Sequence, residues 1–132
     1  MRSRLSKREK AFLAKARVAR VASIGARGRP HVAPLSHAFD PQRRTLYVFT
    51  DSSGRTARNV RSRPAAAIAC DDYFEDWNRI RGVVVQAKAR TAGETERAHA
   101  AKLLKRKFRG YRSYEIDFVL AFDVTAVTSW GL

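Results

Sequence analysis

Apolar residues recur along the chain with two different periods. Near the N-terminus, Ser6-Lys7-Arg8-Glu9 has the spacing of a capping box, with Ser6 as N-cap and Glu9 reaching back. It predicts a short helix to about Ala16 with Phe12 and Leu13 facing inward. Val18–Ile24 then alternates small and branched apolar residues, the period-two signature of a half-buried strand. Gly25–Pro30 contains two glycines and a proline and reads as a hairpin turn into a return strand over His31–Phe39. Pro34 lies inside that strand, which predicts an edge position or a bulge there. A turn at Asp40–Arg43 leads to Thr45–Thr50, rich in β-formers.

A short helix over Arg55–Ser62, stopped by Pro64, and a small-residue strand over Ala65–Cys70 come next. Asp71–Arg81 is an acidic and aromatic connection holding Tyr73, Phe74 and Trp77. Gly82–Arg90 alternates again, with Val83, Val85, Ala87 and Ala89 on one face and Val84, Gln86 and Lys88 on the other. Thr91–Glu94 is a second candidate capping box. The helix after it runs to about Phe108, with Ala98, Ala101, Leu104 and Phe108 at helical spacing. Ile116–Trp130 contains the last strand. Tight turns between consecutive strands argue for antiparallel pairing, and about six strands with few helices for a small barrel.

Length supports a single domain over residues 1–132, with residues 1–17 as an N-terminal helical arm. The lone Cys70 excludes an internal disulfide and suits a reducing cytosol, so a cytoplasmic location is expected. No apolar run reaches the roughly 18 residues that span a bilayer, and the N-terminus lacks the apolar core of a secretory signal. Charge alters the picture more. With 27 Lys+Arg against 12 Asp+Glu, the formal net charge is +15. Such a chain attracts polyanions, either nucleic acid or an anionic cofactor, unless the charge is only a solvated surface. The aromatics argue against nucleic acid. Tyr47, Phe49, Trp77 and Phe122 sit in apolar or acidic contexts, not interleaved with Lys and Arg as stacking platforms are.

Candidate chemistry gathers in one place. Thr50, Ser52 and Ser53 offer hydroxyls, Gly54 permits close backbone approach, and Arg55, Arg58 and Asn59 follow at helical spacing. A small-residue loop at a helix N-terminus with cations on its first turn can hold a phosphate. The competing reading is an ordinary serine cap on an Arg-rich helix, and Asp51 counts against an anion. His31, His37 and His99 have no metal-ligand spacing, so no metal is expected. Catalytic residues are not identifiable; His37 alone is a candidate for substrate contact or proton donation, beside a structural role. The absence of a nucleophile–base pair suits a reaction whose chemistry is carried by a cofactor.

The series VASIGARGRPHVAPLSHAFD, LYVFTDSSGRTARNVRSRP, AIACDDYFEDW and GVVVQAKA resembles the pyridoxamine 5'-phosphate oxidase-like family over about Ser6–Trp130. The segment DDYFEDW and the strand at Gly82 are similar to the actinobacterial branch thought to use coenzyme F420. The resemblance implies a mainly β, α+β fold: a six-stranded antiparallel split β-barrel of the FMN-binding type. It implies a flavin- or deazaflavin-dependent oxidoreductase, F420-dependent in the first reading, passing a hydride to a small unsaturated substrate. An FMN-dependent oxidoreductase of the same fold, or a flavin- or haem-binding protein without turnover, are the alternatives. The cofactor ring would lie on the strand of Pro34 and Ser36, and its phosphate on Thr50, Ser52, Ser53, Arg55, Arg58 and Asn59. A homodimer with cofactor sites at the interface is implied, with Trp77, Gln86 and Trp130 as candidate wall residues from the second chain. The Arg-rich C-terminal substrate motif of the authentic vitamin B6 oxidases has no counterpart in VTSWGL.

Overall fold

The computed structural model describes all residues, Met1–Leu132. Six strands carry the architecture: β1 (Val18–Ile24), β2 (Pro30–Asp40), β3 (Thr45–Phe49), β4 (Ala65–Asp72), β5 (Arg81–Thr91) and β6 (Val119–Trp130). They close into an antiparallel barrel in the order β1-β2-β3-β6-β5-β4, with β4 returning to β1. Three helices flank it: α1 (Lys7–Lys15), α2 (Arg55–Ser62) and α3 (Glu94–Lys107). This is the expected split-barrel type.

Strand alternation sorts the side chains. Inward positions form one core: Phe39 opposes Leu46, Leu46 opposes Phe122, and Val21, Ile68, Val85 and Val127 follow in register around the wall. Each residue in these rungs is at most 6% exposed. Helices α1 and α2 close opposite ends of the barrel. Leu13 of α1 and Ala57 and Val60 of α2 join the same core. Burial of this apolar area, at about 25 cal/mol per Å², is the main force holding the wall shut. A second cluster lies outside the barrel, where Ala100 and Leu104 of α3 cover Ala38, Tyr47 and Ala121.

The N-terminal capping box forms as expected. Ser6 Oγ accepts from the Glu9 amide and the Glu9 carboxylate accepts from the Ser6 amide. Glu9 is 1% exposed and also receives Arg2 and the Ser129 hydroxyl. The second box does not form. Thr91 is the last residue of β5, paired with Leu120, and α3 is capped by Gly93 with no side-chain bond. Pairing demand on β5 outweighs the local cap. The inward face of α3 also differs: Ala98 is exposed, and Ala100 and Leu104 are buried. His99 is not a free surface residue; it is half-buried, with Nε2 2.7 Å from Asp40 Oδ2 and its ring edge-on to Tyr47.

Pro34 is accommodated at a one-sided stretch. Residues Pro30–Ser36 of β2 pair only with β1, whereas His37–Asp40 pair with β3. A missing N–H is tolerated where one edge of the strand carries no partner. The single bulge lies in β6 instead, where Thr125 is the extra residue between Val124 and Ala126.

Candidate cofactor site

The turn joining β1 and β2 folds over α2, because Asn59 and Ser23 meet beneath it. Asn59 Nδ2 donates to Ser23 Oγ at 3.0 Å, and Asn59 is 8% exposed. Gly25 begins the turn so close to both elements that a Cβ there would stand 3.2 Å from the Arg29 carbonyl and 3.3 Å from Asn59 Oδ1. The turn itself passes through the left-handed region at Arg27 and Gly28. Between turn and helix is a cavity of about 380 Å³. Arg55, Arg58, Asn59 and Ser62 face it from α2, at helical i, i+3, i+4 and i+7 spacing, and Arg63 follows them. Arg29, Pro30 and His31 close it from β2 and its turn.

Charge in this cavity is unbalanced. Four arginines line it, no carboxylate does, and none of the four takes part in an ion pair. All four are exposed, and guanidinium groups bind phosphate or carboxylate in a bidentate manner. A larger cavity of about 720 Å³ beside α1 is also basic, since Arg8, Lys15 and Arg17 line it without an ion pair, but two carboxylates share it. There Asp71 is neutralised by Arg20 at 2.6 Å and Asp72 by Arg81 at 3.0 Å.

Of the residues singled out in the sequence, Arg55, Arg58 and Asn59 meet at the arginine cavity. Thr50, Ser52 and Ser53 do not line it. Asp51 turns back into its own loop, taking the Ser53 amide at 2.9 Å and the Ser53 hydroxyl at 2.8 Å. Those bonds hold its carboxyl below the usual range, and Arg61 donates to the Ser52 carbonyl. The two Ser53 donors are therefore engaged by a carboxylate of the chain itself.

Pro34 and Gln86 share the bare outer face of the barrel, through the rungs Pro34–Arg20–Ala69–Val84 and Val32–Ala22–Ala67–Gln86–Ala126. Ser36 continues that face on β2 by alternation. Trp77 is 84% exposed on the connection between β4 and β5, and Trp130 packs its indole over Gly82. Both lie at the far end of β4 and β5 from the arginine cavity. Eight residues of β4 separate them, about 26 Å at ~3.3 Å per residue.

His37 is fully buried. Its Nε2 is 2.8 Å from the Leu13 carbonyl, an acceptor only, so Nε2 carries the proton. Burial, reinforced by the nearby Lys107 charge, pulls its pKa down to about 4. Burial likewise pushes the Cys70 thiol up to about 12. Neither group is poised to react. Arg29, His31, Ser62 and Arg63 line the cavity without standing out in the sequence. The helical spacing from Arg55 could have found Ser62. Arg29 and His31 need the fold of the turn over α2, which no local signal encodes.

A profile of the pyridoxamine 5'-phosphate oxidase family matches residues 5–130. A 5a,11a-dehydrotetracycline/5a,11a-dehydrooxytetracycline reductase of Streptomyces rimosus subsp. rimosus is 34% identical over 88 residues, 62% of each chain. The matched part thus spans less than two thirds of that relative. Among solved structures, an FAD-binding protein of Mesorhizobium loti has a TM-score of 0.72 at 22% identity, covering 95% of this chain and 94% of its own. A haem-binding protein of Mycobacterium smegmatis has a TM-score of 0.80 at 20% identity, covering 97% and 55%. The two structures share the fold.

Proposed function

The chain belongs to the pyridoxamine 5'-phosphate oxidase family, and on that premise we propose that it is a flavin-type oxidoreductase whose cofactor is the deazaflavin F420. The observation that carries this reading is the arginine cavity at the start of β2. Its four unpaired cations fit a ligand with more than one anionic group. F420 has a phosphodiester and a carboxylate tail; FMN has one phosphate. Arg29, Arg55, Arg58 and Arg63 would hold the anionic part, and the ring would lie along β2 at Pro34 and Ser36. Bound in reduced form, such a cofactor supplies a hydride, and the protein contributes orientation and electrostatics. Ser53 would join the phosphate only if Asp51 released it, and Thr50 and Ser52 would reach it only from beside the cavity.

The substrate class in this reading is a small, flat, unsaturated compound, in keeping with the dehydrotetracycline reductase among the relatives. His37 is given no part in the chemistry, since its one proton is spent on Leu13 inside the barrel.

A homodimer completes the site. The bare outer face carries a patch of small residues, with Ala22, Ala67, Ala69, Val84 and Ala126 in adjoining rungs and Val32 64% exposed beside them. A second copy packed there about a two-fold axis would run its strands in the opposite direction. Its Trp77, Gln86 and Trp130 would then reach the arginine cavity of the first, which the same chain's Trp77 is too distant to do.

The test is anaerobic turnover. Reduced F420 is mixed with the protein and either menadione or cyclohex-2-en-1-one, and the return of the oxidised cofactor band is followed. Acceptor-dependent return supports the reading. Tight binding of F420 without turnover on any acceptor leaves a carrier, and turnover with reduced FMN alone makes FMN the cofactor.

A further inference from the structure

The cavity beside α1, about 720 Å³, has no part in the proposed cofactor site. Helix α1 turns one face to it, with Arg8, Ala11, Phe12 and Lys15 at i, i+3, i+4 and i+7 spacing. Arg17, Val18 and Arg20 line it from the start of β1. The chain end closes a further side. Gly131 has a φ of 71°, and a Cβ on it would collide with the Ile80 carbonyl, so glycine is what lets the chain turn there. Past that turn, Leu132 packs against the barrel core, as Phe12 does, and both side chains border the cavity.

Charge and apolar surface meet in this space. Asp71 and Asp72 are held by Arg20 and Arg81, and the Arg81 guanidinium also lies 5.7 Å from the centre of the Phe12 ring. Arg8, Lys15 and Arg17 have no carboxylate partner. The other carboxylate on a lining residue is the one that ends the chain at Leu132, so cations stay in excess. Arg17 lies over the Phe108 ring at 4.8 Å, which holds it at the rim. A solvated basic helix accounts for Arg8 and Lys15. It does not account for Val18, 40% exposed on the outward face of β1, or for Phe12 and Leu132 bordering the same space. Arg20 pairs with Ala69, which puts the cavity at the margin of the small-residue patch.

We propose that this cavity is a second ligand site, and that its ligand is a monocarboxylate with an apolar body. About 720 Å³ lies within the range of small-molecule sites, roughly 300–1,000 Å³. Phe12, Val18 and Leu132 take the hydrocarbon, and the single carboxylate reaches the rim cations, where an arginine can hold both its oxygens. A second negative charge would face Asp71 and Asp72, so the site selects against the polyanions that suit the arginine cavity. The assignment stands whether or not F420 is the cofactor.

The test is an amide NMR titration of the purified chain with three probes of one chain length: octanoate, octanol and octanedioate. Octanoate shifts the amides of Phe12, Val18 and Leu132 saturably, and the alcohol and the diacid bind at least about fivefold more weakly. Replacing two exposed cations of α1 together, Arg8→Gln with Lys15→Gln, weakens octanoate about five- to tenfold. Val18→Ser weakens it about threefold. Arg58→Ala, in the other cavity, leaves octanoate at its wild-type affinity. No saturable shift with octanoate, equal binding of the alcohol, or affinity lost in Arg58→Ala but kept in the α1 double variant overturns the site. A chain that binds no F420 but still shows these octanoate shifts overturns the cofactor reading and keeps the second site.

Discussion

His37 and Glu9 are two buried polar side chains that anchor α1 to the barrel, and both make the fold sensitive to acid. His37 is neutral in the folded chain, with its pKa lowered from 6.5 to about 4 chiefly by burial. A depressed histidine stabilises the fold above its unfolded pKa, and that contribution is lost as pH falls from about 6.5 to 4. The loss amounts to about 2 kcal/mol between pH 7 and pH 5. Glu9 follows at lower pH. Its bond from Arg2 outweighs burial, and the bonds from Ser129 and Ser6 add to it, lowering its pKa from 4.5 to about 2. Its contribution is complete above pH 4.5 and disappears toward pH 2, about 2 kcal/mol once screening at the exposed Arg2 is allowed for. Urea midpoints measured from pH 7 to pH 3 should fall in these two windows, and His37→Phe should flatten the upper one. The Glu9 role was legible as a capping box. The Arg2 and Ser129 partners were not, because Ser129 lies 120 residues away in the chain.

Among the elements, α2 and the β1–β2 turn define the anion cavity. Arg58→Ala removes one of four cations from it and should weaken binding of F420 about tenfold without altering thermal stability. Gly25→Ala forces a Cβ against the Arg29 carbonyl and Asn59, and should cost about 1–2 kcal/mol while also weakening the cofactor. Isothermal titration and thermal melts of the two variants separate the effects. The strands were readable because alternation is unambiguous on a wall with one buried face: Val83, Val85, Ala87 and Ala89 are all at most 5% exposed. The face of α3 was not. Alanines at positions 98, 100 and 101 give a helix little contrast, and close approach to Ala38 and Tyr47 chose Ala100. The loop Thr50–Ser53 was read as an anion nest from its residue types. The Ser53 donors are taken by Asp51 over a two-residue span, a local competition that composition does not reveal.

At the scale of the molecule, the net charge of +15 acquires a location. Unpaired cations line two cavities: Arg8, Lys15 and Arg17 the one beside α1, where Asp71 and Asp72 accompany them, and Arg29, Arg55, Arg58 and Arg63 the carboxylate-free one at one end of β2. If two copies pack through the small-residue face, Ala67→Glu at its centre should produce a folded monomer, read by sedimentation as a halved mass with unchanged circular dichroism. Cofactor affinity should fall in parallel, since the partner's Trp77 and Gln86 would be lost from the site. No helix in the chain is long and apolar enough to cross a membrane. Cofactor identity is decided by a parallel titration of the purified protein with oxidised F420 and with FMN, repeated with Arg58→Ala. F420 should bind with a micromolar Kd and FMN more weakly, and Arg58→Ala should lose about tenfold for F420. Micromolar binding of FMN alone, or F420 binding untouched by Arg58→Ala, would contradict the F420 assignment.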